Sequence, residues 1–275
     1  MRLPNVLVSL AGTVVGGLAA FGRGISLPWG TGGAIVLAAV STAFVTAAGN
    51  ILNDLGDRVT DRQNHPDRPL VTGAISVSAA RAAWPTLVLA AALLIVPVAL
   101  AFPLIALLLA VAVALVVGYE RRAKARGLWG NASVALLTGL VFLYGGAAVG
   151  NAVVMLPFAA MAFFATLSRE LIKDMEDAEG DVDRVTVPRR YGPVVATRAA
   201  RAAVLAAIVL SAVPFFVLVV PSSAAGIMYG GLVGLADAVF LVSVAFLPER
   251  LHWEQTMSKV AMAVALVAFL ATAFR

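Results

Sequence analysis

Long uncharged runs dominate the pattern. No Asp, Glu, Lys or Arg interrupts residues 82–119 or 127–168. Each run is roughly twice the ~20 residues that span a bilayer as a helix. Turn signals at Phe102-Pro103, Gly150-Asn151 and Pro221-Ser222-Ser223 divide the apolar stretches. The pattern predicts helices over 3–21, 31–53, 78–100, 104–119, 129–149, 153–173, 194–219, 224–246 and 256–274. These runs are rich in Ala, Leu and Val without polar alternation, so they read as helices and not as the strands of a barrel.

Composition makes the solvent a membrane. Apolar residues are 61% of the 275-residue chain and charged residues only 13%, more apolar surface than a soluble domain of this size can hide. The chain has no cysteine, which excludes disulfides and thiolate chemistry. The expected fold is all-α: one polytopic transmembrane domain over residues 1–275 with nine membrane-spanning helices. Pro97 and Pro214 read as kinks, and His65 and His252 as isolated loop residues.

Charge orients this bundle. With nine crossings, all Lys and Arg except Arg23 and Arg275 fall on the face that holds the N-terminus and the loops after even-numbered helices. The positive-inside rule makes that face cytoplasmic, with the N-terminus inside and the C-terminus outside.

The few acids are ordered. Asp54, Asp57 and Asp61 each have a counterpart 120 positions further on, in Asp174, Asp177 and Asp181. At 100° per residue, Asn50, Asn53, Asp54, Asp57 and Asp61 fall within an arc of about 100°, and Asp174, Asp177 and Asp181 within about 60°. Glu170 shares the second arc, whereas Glu176 and Glu179 lie off it and are not expected to bind metal. Like charges crowded on one face need a counter-charge. Two Mg²⁺ ions supply it, because Mg²⁺ takes oxygen ligands and bridges a few carboxylates to substrate phosphates. The alternative is a solvated acidic helix end paired to nearby arginines, which explains neither the Asn residues nor the repeat. Asp237 stands alone inside a helix, where hydrogen bonding to a neighbouring helix is expected.

The residues themselves resemble a known family. The run Asn53-Asp54-x-x-Asp57-x-x-x-Asp61 resembles the first aspartate-rich motif of the UbiA-type intramembrane prenyltransferases. Lys173-Asp174-x-x-Asp177-x-x-Gly180-Asp181 resembles their second. The likeness continues in Arg68-Pro69-Leu70-x-x-Gly73, in Tyr119-x-x-x-x-Lys124, and in Gly127-Leu128-Trp129-Gly130-Asn131. Within the family, the second motif is most similar to that of the archaeal digeranylgeranylglyceryl phosphate synthases.

The resemblance implies Mg²⁺-dependent transfer of a prenyl group from an isoprenyl diphosphate to a lipid-like acceptor, here geranylgeranylglyceryl phosphate. An aromatic acceptor of the quinone pathways is the alternative. Asn50, Asn53 and the six aspartates would hold the metal ions. Arg58, Arg62, Arg68, Lys124, Arg169 and Lys173 are the candidates for the diphosphate, since fixed cations stabilise a departing anion. Tyr119 could present its ring to the allylic cation. The repeat further suggests two similar four-helix units closed by a ninth helix. The bilayer is the expected surroundings, and no nucleic acid is implied. A transporter is the rival class, but it would place its ionisable groups near mid-membrane.

Overall fold

The computed structural model describes residues 3–21, 30–120, 127–178 and 185–275. Lys124 and Asp181 lie outside the described residues, as do Arg2, Arg23, Glu179 and Gly180. Among the described residues every regular element is a helix. Among the described residues, eight helical stretches are long and apolar enough to cross a bilayer. They are built on α1 (Leu3–Ala20), α2 (Gly30–Gly56), α5 (Val77–Ala101), α7 (Leu128–Ala148), α8 (Leu156–Glu176), α10 (Pro193–Ser211), α12 (Ala224–Ala245) and α13 (Leu251–Ala271). Helix α6 (Leu104–Gly118) is equally apolar but only 15 residues long. Four short helices join them: α3 (Arg58–Asn64), α4 (Pro69–Thr72), α9 (Val187–Tyr191) and α11 (Pro214–Val217).

Helices α1, α2, α5, α6, α7, α8, α10, α12 and α13 pack in that order, and α13 returns to pack on α1. Helix α7 also touches α1 and α2, and α13 also touches α8. Hydrocarbon offers no hydrophobic drive between helices, so close backbone approach and buried polar pairs hold such a bundle. Where α1 crosses α7, a Cβ on Gly145 would stand 2.1 Å from the Thr13 carbonyl oxygen, and one on Gly16 2.6 Å from that of Phe142. Only glycine fits there. Ser41 of α2 donates to the Ala91 carbonyl of α5 at 3.1 Å and shares a 2.9 Å hydrogen bond with Tyr144 of α7. Asp237 of α12 accepts from Ser211 Oγ of α10 at 2.7 Å, the neighbouring-helix bond expected for that acid.

Two boundaries differ from the sequence reading. Residues 194–219 do not form one helix kinked at Pro214. Helix α10 stops at Ser211, and Pro214 opens α11. Proline lacks the N–H and clashes with the preceding turn, yet is tolerated in the first turn of a new helix. Helix α13 begins at Leu251, not at 256. His252 is therefore helical, and Glu254 becomes a fully buried residue of the first turn.

Candidate active site

The first acidic motif occupies a broken helix end. Helix α2 runs to Gly56, Asp57 interrupts it, and α3 resumes at Arg58. Asn50 and Asp61 are buried, and Asn53 and Asp54 are half-buried. Asn53 Nδ2 donates to Asp57 Oδ2 at 3.0 Å. Arg68 Nη1 donates to Asp54 Oδ1 at 3.4 Å and to Asp61 Oδ2, so one guanidinium bridges two carboxylates from two helices.

The Arg68-Pro69-Leu70-x-x-Gly73 stretch explains how that arginine is aimed. Arg68 is the extended N-cap residue of α4, Pro69 takes the first helical position, and Gly73 ends the helix at φ +78°. Proline is preorganised for a helix start, and a left-handed residue at the end favours glycine. The single turn thus folds the chain back over the motif, with the Arg68 side chain only 21% exposed.

The second motif lies at the end of α8. Asp174 Oδ2 accepts from Asn131 Nδ2 at 2.8 Å, across from the first turn of α7. The Gly127-x-x-Gly130-Asn131 pattern makes this contact possible. Gly127 has φ +49°, and a Cβ there would lie 2.4 Å from the Val185 carbonyl oxygen. The turn can therefore tuck beneath the segment after the motif only with glycine at that position. Asp177 caps α8 and is exposed, as is Lys173, while Arg169 pairs with Glu170 at 2.7 Å. Among the cationic candidates, Arg58 is half-buried and Arg62 exposed.

Contacts join the two motifs to one end of the bundle. Glu120, just past α6, comes so close to α2 that a Cβ on Gly56 would stand 2.7 Å from its Oε2. Tyr119 caps α6 beside it and is half-buried. Helix α7, which carries Asn131, packs on both α2 and α8. Arg275 belongs to the other end, where it donates to the Ala19 and Thr272 carbonyls at 2.6 and 2.9 Å.

A profile described as the UbiA prenyltransferase family matches residues 9–273. The chain belongs to this family. It is 37% identical over 277 residues to the digeranylgeranylglyceryl phosphate synthase of Haloquadratum walsbyi, covering 98% of this chain and 91% of that protein. A solved structure concerning digeranylgeranylglyceryl phosphate synthase in membranes superposes with a TM-score of 0.79 at 25% identity, covering 98% of this chain and 94% of the other. A UbiA homologue from Archaeoglobus fulgidus bound to GPP and Mg²⁺ superposes with a TM-score of 0.71 at 23% identity, covering 99% of both chains. The last shows the shared fold.

Seen as a UbiA family site, the donor set suits a hard cation. It offers carboxylate and amide oxygens and no thiolate, and oxygen ligands of this kind select Mg²⁺ over softer metals. Among the described residues no three His, Cys, Asp or Glu side chains converge as a ready-made metal cage. Sequence reasoning noted Asn131 only as part of a pattern and missed Glu120 altogether. The Asn at the start of an apolar helix was the available signal for the first. For Glu120, the signal was an acid directly after Tyr119.

Proposed function

We propose that this chain transfers a geranylgeranyl group from geranylgeranyl diphosphate to geranylgeranylglyceryl phosphate, making an archaeal ether-lipid precursor. The observation that carries the reading is the pair of acidic motifs at one end of the bundle. Each is oriented by a dedicated side chain, Arg68 for the first and Asn131 for the second. The relative in Haloquadratum walsbyi is named digeranylgeranylglyceryl phosphate synthase, and that name supports a glyceryl phosphate acceptor.

Asn50, Asn53, Asp54, Asp57 and Asp61 from one side, and Asp174, Asp177 and Asp181 from the other, would hold two Mg²⁺ ions. Bound there, the metal ions would neutralise the charge that develops on the departing diphosphate. Arg68 neutralises Asp54 and Asp61 in the free protein. It would turn to the diphosphate once those acids are engaged, with Arg58, Arg62, Lys124, Arg169 and Lys173 as the further candidates. The allylic C–O bond breaks with its electron pair staying on the diphosphate. The glycerol hydroxyl oxygen then bonds to the allylic carbon and loses its proton, a step that needs no strong base because the electrophile is a cation. Tyr119, at the end of α6, would face that cation with its ring.

The same reading makes α6 a ninth crossing, with the N-terminus and the site cytoplasmic and the C-terminus outside. Helices α2 and α8 become the second members of two four-helix units, closed by α13. The chain in lipid, given labelled geranylgeranyl diphosphate, acceptor and Mg²⁺, tests the function. Product formation that stops on chelation is expected, whereas metal-independent uptake without product would favour a transporter.

A further inference from the structure

The helix that carries the second motif ends at Glu176, one residue before Asp177. The last carbonyls of a helix have no partner within it, and such ends fray. Asp174 sits in this last turn, so a metal site built on it depends on whatever holds the turn in place.

The first turn of α13 makes that contact. Glu176 Oε2 accepts from Gln255 Nε2, and Glu176 Oε1 lies 3.1 Å from His252 Nδ1. Both carboxylate oxygens of Glu176 are thus engaged by one turn of another helix. This turn is itself anchored inward. Glu254, between the two partners, is fully buried, and its Oε1 accepts from Ser243 Oγ of α12 at 3.4 Å. Arg169 of α8 lies within electrostatic reach of the same carboxylate. The first turn of α13 therefore engages α8 two residues after Asp174, and α8 packs along α13.

Glu176 points away from the acidic arc, so this is no part of the metal shell. We propose that the first turn of α13 is a positioning element for the second acidic motif, with Gln255, His252 and Glu176 as positioning residues that set its affinity for the metal–diphosphate substrate. The proposal rests on the metal-dependent transfer proposed above.

The test exchanges donor and acceptor across the contact in the full chain in lipid. Gln255→Glu sets two carboxylates face to face and should raise about tenfold the Mg²⁺ concentration that half-saturates both turnover and, without substrate, the Mg²⁺-induced rise in melting temperature. The rate at saturating Mg²⁺ should stay close to that of the unaltered protein. Adding Glu176→Gln restores one donor and one acceptor and should return the Mg²⁺ dependence to normal. Gln255→Ala, which introduces no repulsion, should give a smaller shift in the same direction. An unchanged Mg²⁺ dependence in Gln255→Glu would overturn the proposal. So would a lower maximal rate without a Mg²⁺ shift, or a defect that Glu176→Gln does not repair. An unaltered protein that needs no Mg²⁺ would instead remove the site reading, and the positioning role with it.

Discussion

Asn131 Nδ2 donates to Asp174 Oδ2 at 2.8 Å, linking the first turn of α7 to the last turn of α8 over 43 residues of sequence. The bond uses one lone pair of one carboxylate oxygen and fixes the rotation of the group. The remaining lone pairs are then presented in one direction, as an oriented metal ligand requires. Asn131→Leu should keep the fold, because the apolar helix around it is untouched. It should raise the half-saturating Mg²⁺ concentration about tenfold. Normal Mg²⁺ dependence in steady-state assays of this variant would count against an orienting role.

Arg68 makes opposite demands on the free and the working protein. In the free protein it compensates Asp54 and Asp61, so Arg68→Gln removes a counter-charge that these two neighbouring carboxylates share. A divalent cation then has more repulsion to relieve. The rise in melting temperature on adding Mg²⁺ should be larger in Arg68→Gln than in the unaltered protein. Turnover should fall nonetheless, by roughly tenfold or more, because the leaving diphosphate loses a cation. A variant with both properties unchanged would show that Arg68 is only a membrane-surface anchor.

The proposed metal ligands should be the most sensitive positions. Asp54→Asn, Asp57→Asn and Asp174→Asn each remove a charge and keep the shape. Each should lose transition-state stabilisation on the order of 3 kcal/mol, or roughly a hundredfold in rate. Circular dichroism should show an intact helical fold. Near-normal rates in all three would end the two-metal account.

Topology can be checked without any activity. Positive charge gathers on the end of the bundle that carries both motifs, while Arg275 binds the Ala19 carbonyl at the other end. Alkaline phosphatase fused after Arg275 should be active and a fluorescent protein there dark. The reverse pattern would mean that α6 does not cross the membrane.

Much of this architecture was legible because hydrocarbon imposes one rule on every segment. An uncharged run must become a helix, and the runs at 82–119 and 127–168 did so, dividing where Phe102-Pro103 and Gly150-Asn151 predicted. The ends were less legible. Leu251-His252-Trp253-Glu254-Gln255 reads as a polar loop, yet α13 starts there, because Ser243 and Glu176 on other helices accept or supply its hydrogen bonds. Local composition carries no record of such partners. Spacing alone picked out the two acidic motifs, but the wheel holds only within α2 and α8: Asp57 breaks the first helix, Asp61 lies on α3 and Asp177 lies past the end of α8. What spacing could not show was the side chain that orients each: Asn131 reaches Asp174 through tertiary packing, and Arg68 reaches Asp54 and Asp61 through a turn made by Pro69 and Gly73.

The most direct test sets acceptors side by side. The full chain in lipid is given labelled geranylgeranyl diphosphate and Mg²⁺, with geranylgeranylglyceryl phosphate, 4-hydroxybenzoate or dihydroxynaphthoate in parallel, and the labelled products are separated. The account predicts one product, the glyceryl phosphate carrying two geranylgeranyl ethers, and its loss on chelation. Preferential prenylation of an aromatic ring would contradict it and assign the chain to quinone synthesis.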